Sequence, residues 1–152
     1  MKKIILFLLL VSLLLFLLSS CRKTESAEDI LLSITKELDS LPYGNLYLKS
    51  AEEGDAAFLN EEIIKALYGD DAVEYEFSLI EDFAVYLCPK EPCEVAVFKC
   101  YSSSDTDVIA TMCLRRTDAL CILLEGTPYN NIPKNARVDI SGHFVTVVMA
   151  RD

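Results

Sequence analysis

Tryptophan is absent from this sequence, histidine occurs once and glycine only five times. Each shortage closes off a class of chemistry. A lone histidine, His143, cannot build a histidine-rich metal centre. Zinc would need ligands paired at Cys-x-x-Cys-like spacing, and Cys88 and Cys93 stand too far apart, with only Cys100 soon after. The few glycines form no phosphate cradle: G-x-x-x-x-G-K-[ST], G-x-G-x-x-G and G-x-S-x-G are all missing. Without tryptophan, a sugar platform would rest on tyrosines, and these are scattered. Tyr43 beside Pro42 and Tyr129 in its Asn-rich loop are expected at the surface, Tyr86 in the core. Bases are also scarce, with 14 Lys and Arg against 24 Asp and Glu, a net charge of −10. That charge repels phosphate backbones, so nucleic acid is not an expected partner. The acidic turns Glu52-Glu53-Gly54-Asp55 and Asp70-Asp71 lack the ligand spacing of an EF-hand loop. Nothing here calls for a cofactor or a metal.

What the chain has in excess is apolar sequence at its start. Lys2 and Lys3 precede a run over residues 4–18 broken only by Ser12, and the run closes on Leu18-Ser19-Ser20-Cys21. A charged segment, an apolar segment and small residues at a cut site make a secretory signal. The closing tetrapeptide resembles a bacterial lipobox, cleaved between Ser20 and Cys21, with the lipid attached to Cys21. The run is shorter than the roughly 20 residues a spanning helix needs. An uncleaved membrane helix and a plainly secreted product are the competing readings. In the anchored readings Lys2 and Lys3 stay cytoplasmic and the rest is exported. The expected organisation is a lipoprotein signal peptide over 1–20, a polar tether over 21–26 and one extracytoplasmic domain over 27–152. About 130 residues beyond the signal are one domain's worth, enough to hold a core without staples. An acidic domain is not drawn onto anionic lipid, so the lipid should tether it without laying it on the membrane.

Besides Cys21 there are Cys88, Cys93, Cys100, Cys113 and Cys121. An odd number forbids a complete disulfide framework within one chain. One pair is a candidate for a disulfide: Cys88-Pro89-Lys90-Glu91-Pro92-Cys93 reads as strand end, turn and strand start. Opposed hairpin residues lie about 4.5–5.5 Å apart at Cα, within disulfide range. The others read as small apolar core residues.

Along the chain, Ser26 with Asp29 predicts a cap, and Ile30, Leu31, Ile34 and Leu38 predict a helix over about 27–39 that Pro42 stops. Asn60 predicts the cap of a short helix carrying Ile63, Ile64, Leu67 and Tyr68, closed by Gly69. Val73, Tyr75 and Phe77 alternate with polar residues, which predicts a strand or extended arm. Residues 83–88 and 93–100 predict a hairpin, apolar on both faces as in central strands. Ser104 with Asp107 predicts the cap of a long helix over about 105–124. Its stripe would be Val108, Ile109, Met112, Cys113, Ala119, Leu120, Leu123 and Leu124. A proline-containing loop over 127–135 then leads to a second hairpin, with Ser141-Gly142 as its tight connection. The expected fold is α+β: two short helices, then an antiparallel sheet of four to five strands with a crossover helix packed on one face.

Several stretches together carry a likeness. They are the lipobox, the helix end Ala66-Leu67-Tyr68-Gly69, the strand Glu94-Val95-Ala96-Val97-Phe98-Lys99, the Arg115-Arg116 pair and the closing Gly142-His143-Phe144-Val145-Thr146-Val147-Val148. In these the chain resembles a group of small lipoproteins of Gram-positive anaerobes, over about residues 60–150. The resemblance implies an envelope lipoprotein and no assigned activity. The expected role is a non-enzymatic binding module on the extracytoplasmic face of the cell membrane. It would be held by lipid on Cys21, with an envelope protein or glycan as partner. The alternative is a small envelope hydrolase using carboxylates or a Cys–His pair through His143. No residue is singled out as catalytic.

The lipobox reading has a direct consequence. Cys21→Ala should abolish incorporation of labelled lipid and leave an unprocessed precursor, read by metabolic labelling and gel mobility. Retained label in that variant would refute it.

Overall fold

A computed structural model describes residues 25–38, 41–69 and 73–151. The signal segment with Ser20 and Cys21, most of the tether and the Asp70-Asp71 turn lie outside the described residues.

The chain folds as α+β, with an open five-stranded antiparallel sheet. In order its elements are α1 Ala27–Glu37, β1 Asn45–Leu48, α2 Glu61–Tyr68, α3 Val73–Ser78 and β2 Ile80–Leu87. They continue with β3 Glu94–Cys100, α4 Thr106–Leu123, α5 Asn131–Lys134, β4 Arg137–Ser141 and β5 Phe144–Met149. The strand order is β1-β2-β3-β5-β4, so β3 is central and β1 and β4 form the edges.

Local chemistry sets most boundaries. Ser26 Oγ accepts from the Asp29 N–H at 3.1 Å and starts α1. Asn60 Oδ1 accepts from the Ile63 N–H at 2.8 Å and starts α2, with Glu61 and Glu62 in the turn the helix dipole favours. Gly69, at φ 100°, ends α2 and donates to Lys65 O at 2.9 Å. Gly142 turns the β4–β5 hairpin at φ 60°. The connection is Gly142-His143, one residue later than Ser141-Gly142, since Ser141 is still paired with Phe144. Positive φ at the first turn position alone is the type II′ geometry that suits strand twist. Gly44 marks a close approach: a Cβ there would sit 2.5 Å from Leu87 O and 2.6 Å from the Tyr86 ring.

β2 and β3 are covered on both faces, which explains their unbroken apolar runs. On one face α1 sets Ala27 and Leu31 against Ala84, Val95 and Val97. On the other, Phe83, Val85, Ala96, Phe98, Val145 and Val147 meet α2, α3 and α4. The layering is helix, sheet, helix, so the crossover helix covers one face and the first helix the other. Phe98 is fully buried at the centre, with ring centroids 5.7 Å from Tyr68, 6.2 Å from Phe77 and 6.5 Å from Phe83.

Three further expectations are corrected. Residues 73–78 are a helix, not a strand. Six residues satisfy both periods, and burial of Val73, Glu76 and part of Phe77 at helical spacing decides between them. Ser104 does not cap α4: Asp105 holds that position with no side-chain cap bond. The α4 stripe is buried at Ile109, Met112 and Cys113, whereas Ala119 and Leu123 are exposed. The long helix outruns the sheet it covers.

The aromatic cluster predicts that Phe98→Ala costs about 3–5 kcal/mol, measured by chemical denaturation. A loss below about 1 kcal/mol would mean that the cluster can close over the gap.

Candidate functional site

Polar chemistry inside the domain gathers where α2 ends, α4 passes its midpoint and β3 begins. Glu94 opens β3 and Glu76 faces inward from α3. Both are buried, with 2% and 3% of their surface exposed. Each meets one of two consecutive arginines on α4. Arg115 grips Glu76 through both guanidinium ends, Nη1 to Oε1 at 2.7 Å and Nη2 to Oε2 at 2.8 Å. Arg116 Nε donates to Glu94 Oε2 at 2.7 Å. The other Glu94 oxygen accepts from the Tyr68 hydroxyl at 3.1 Å. Both arginines also reach the C-terminal carbonyls of α2: Arg116 Nη1 donates to Leu67 O at 3.2 Å and Arg115 Nη2 to Tyr68 O at 3.4 Å. Cations at that helix end meet the negative pole of its dipole. The Arg116 guanidinium lies 5.9 Å from the Tyr68 ring centroid.

Burial and the Glu94 carboxylate push the Tyr68 hydroxyl well above its ordinary range. Burial does the same to the Cys113 thiol, helped by Glu94 and Glu76. Both therefore stay protonated, and the network is neutral as a whole.

Two surface cavities flank it. One, of about 240 Å³, is lined by Tyr47, Cys88, Cys93, Glu94, Arg116 and Leu120 among others. The second, of about 360 Å³, lies between α2 and α4 against Ala66, Leu67, Gly69, Arg115, Ala119 and Leu123. Leu123, with 74% of its surface exposed, lines it, and Ile122 next to it in the chain shows 76%. Residues 119–124 are all apolar, yet only Leu120 of them packs against the core.

The sequence-derived residues fall as follows. Cys88 and Cys93 do come together: the Cys88 N–H donates to Cys93 O at 3.0 Å, and both are free thiols here. His143 is exposed in the β4–β5 turn. Its backbone carbonyl accepts from the Cys100 N–H at 2.8 Å, but Cys100 itself is buried and its thiol is pushed up to about 11. Burial makes it a poorer nucleophile, the reverse of what a Cys–His pair requires. Glu76 and Glu94 are buried and each is engaged by an arginine, so neither carboxylate is free to face a substrate. Among the described residues no group of three or more His, Cys, Asp or Glu side chains is placed to hold a metal ion. Tyr43 is exposed as expected, and Tyr86 is half-buried, its hydroxyl bonded to Pro42 O at 2.9 Å. Tyr129 is not a free loop aromatic: it is half-buried with the Arg151 guanidinium 5.7 Å from its ring.

Comparison with protein families, curated proteins and solved structures returned no match.

Losing one partner of a buried pair strands the other charge. Arg116→Ala, which strands Glu94, should cost about 3–5 kcal/mol by urea denaturation. Arg151→Ala should stay below about 1 kcal/mol, because its pair with Glu91 is half exposed.

Proposed function

We propose that this chain is a lipid-anchored extracytoplasmic lipoprotein that serves as a binding module at the cell envelope. The lipid on Cys21 holds it to the membrane, and an envelope protein or glycan is its partner. The leader and lipobox support the anchor. One observation supports the binding role: the last turns of α4 carry apolar side chains that the domain's own core does not use.

Their position gives that observation its weight. The Ala27 N–H donates to Asp82 Oδ2 at 2.9 Å, which fixes the start of α1 at the Asp82–Lys99 end of the sheet. α4 leaves that same end after β3 and runs back, so that Arg116 meets Glu94 and Thr117 Oγ1 lies 3.9 Å from Met149 Sδ. Ile122 and Leu123 therefore sit at the opposite end of the sheet and beyond its opposite face. Strand rise puts the two ends about 17 Å apart. A tether entering at one end presents the other end outward. The apolar patch then faces the envelope rather than the bilayer that holds the lipid.

The test places a photo-crosslinking residue at Ile122 in the full-length protein in cells, with Asp139 as an exposed control. A discrete adduct at 122, absent at 139 and lost with Cys21→Ala, is the expected result. Equal, diffuse labelling at both positions would sink the binding role.

A further inference from the structure

The β2–β3 turn holds chemistry that a docking surface does not require. Cys88 follows β2 and Cys93 precedes β3, and the two face each other across a four-residue loop. The Cys88 N–H donates to Cys93 O at 3.0 Å, one step beyond the last ladder pair, Leu87 with Glu94. Residues opposed across a hairpin hold their Cα atoms about 4.5–5.5 Å apart, inside the range of about 4.4–6.8 Å that a disulfide bridges. Both cysteines line the 240 Å³ surface cavity, with Pro89 and Pro92 from the same turn. Each proline fixes its own φ and stiffens the loop that joins the thiols. Cys88 and Cys93 are buried, 9% and 2% exposed, as are Cys100 and Cys113, and Cys121 is half-buried on α4.

Burial and the Glu91 carboxylate push the Cys93 thiol up, and the Arg151 backbone N–H and guanidinium oppose that shift only in part. Burial, the neighbouring Cys93 and Glu91 push the Cys88 thiol up to about 11. The Cys88 thiol also donates to Pro42 O at 3.4 Å, a carbonyl that keeps the Tyr86 hydroxyl at 2.9 Å when that proton is lost.

We propose that Cys88 and Cys93 form a reversible dithiol site that reduces an external disulfide presented at the cavity. The Cys93 thiolate attacks one sulfur of a disulfide RSSR. The S–S bond breaks, one RS⁻ leaves with the bonding electrons, and Cys93 carries a mixed disulfide. The Cys88 thiolate then attacks the Cys93 sulfur and expels the second RS⁻. The two cysteine protons end on the two released thiols. Two protein thiols and RSSR become one Cys88–Cys93 disulfide and two RSH, with two electrons passed from the protein to RSSR. This goes beyond the proposed binding role, since it needs neither the partner nor the lipid.

The test uses the full chain in detergent, with oxidised glutathione as the probe. After acid quench, alkylation and digestion, mass spectrometry should show Cys88 and Cys93 protected together in one internally linked peptide, and dithiothreitol should free both. Because both thiols titrate high, the rate should climb steadily between about pH 7 and pH 10 without levelling. Cys88→Ser should halt the reaction with glutathione bound to Cys93. Three outcomes would overturn the proposal: both thiols still alkylated, glutathione found on Cys121 alone, or glutathione release from Cys93 as fast in the Cys88→Ser variant as in the wild type.

Discussion

Two consecutive arginines in the middle of a packed helix set the condition that the helical layer on this face must meet. Neither can be drawn toward the interior without a carboxylate, and the chain supplies one for each, Glu76 from α3 and Glu94 from β3. Removing a charge from water costs several kcal/mol, and the pairing returns most of that only when the remaining donors are also satisfied. Here the remaining donors reach the last carbonyls of α2. The arrangement therefore ties α2, α3 and β3 to α4, beside the apolar core that Tyr68, Phe77, Phe98 and Met112 already share. A buried ion pair of this kind is not strong evidence of added stability, since an apolar replacement of the whole set could do as well. Its effect is to select one docking of α2 and α3 on α4 and to penalise the others.

The domain core was legible wherever a single period ran long enough. The two central strands announced themselves by apolar runs without alternation, and the helices by caps at Ser26 and Asn60. The sheet, the crossover helix and the strand count follow from these. Legibility ended where a segment was short. Residues 73–78 satisfy both the strand and the helix period, and the partner that decides, Arg115, lies 39 residues away from Glu76 in sequence. The stripe on α4 was misread for a related reason. Periodicity shows which residues share a face, but not where the neighbouring layer stops.

The polar network was not anticipated, although its traces were present. Glu94 stands directly before the apolar run Val95 to Phe98, and Arg115-Arg116 interrupts the buried stripe of α4. Either alone is ordinary at a surface. Only the topology, which runs α4 back along β3, brings them within hydrogen-bonding distance. The thiol pair was easier, because a turn of four residues leaves its flanking positions little freedom. Functional reading divides the same way. An address signal is a local pattern of the sequence, whereas a binding face is a property of the packed surface.

The outer strands of the sheet carry a further consequence. β1 and β4 each bond to a single neighbouring strand, which leaves outer main-chain groups that the sheet does not pair, although Ala57 O takes the Leu48 N–H of β1 at 2.9 Å. An unfinished sheet margin of that kind invites another copy to add itself, which is how fibres start. Here β1 is four residues long and β4 five, and β4 carries Arg137 and Asp139 at exposed positions. Brevity and alternating charge make each margin a poor template for stacking. Copies crowded together at high local density would thus stay separate bodies instead of zipping into ribbons.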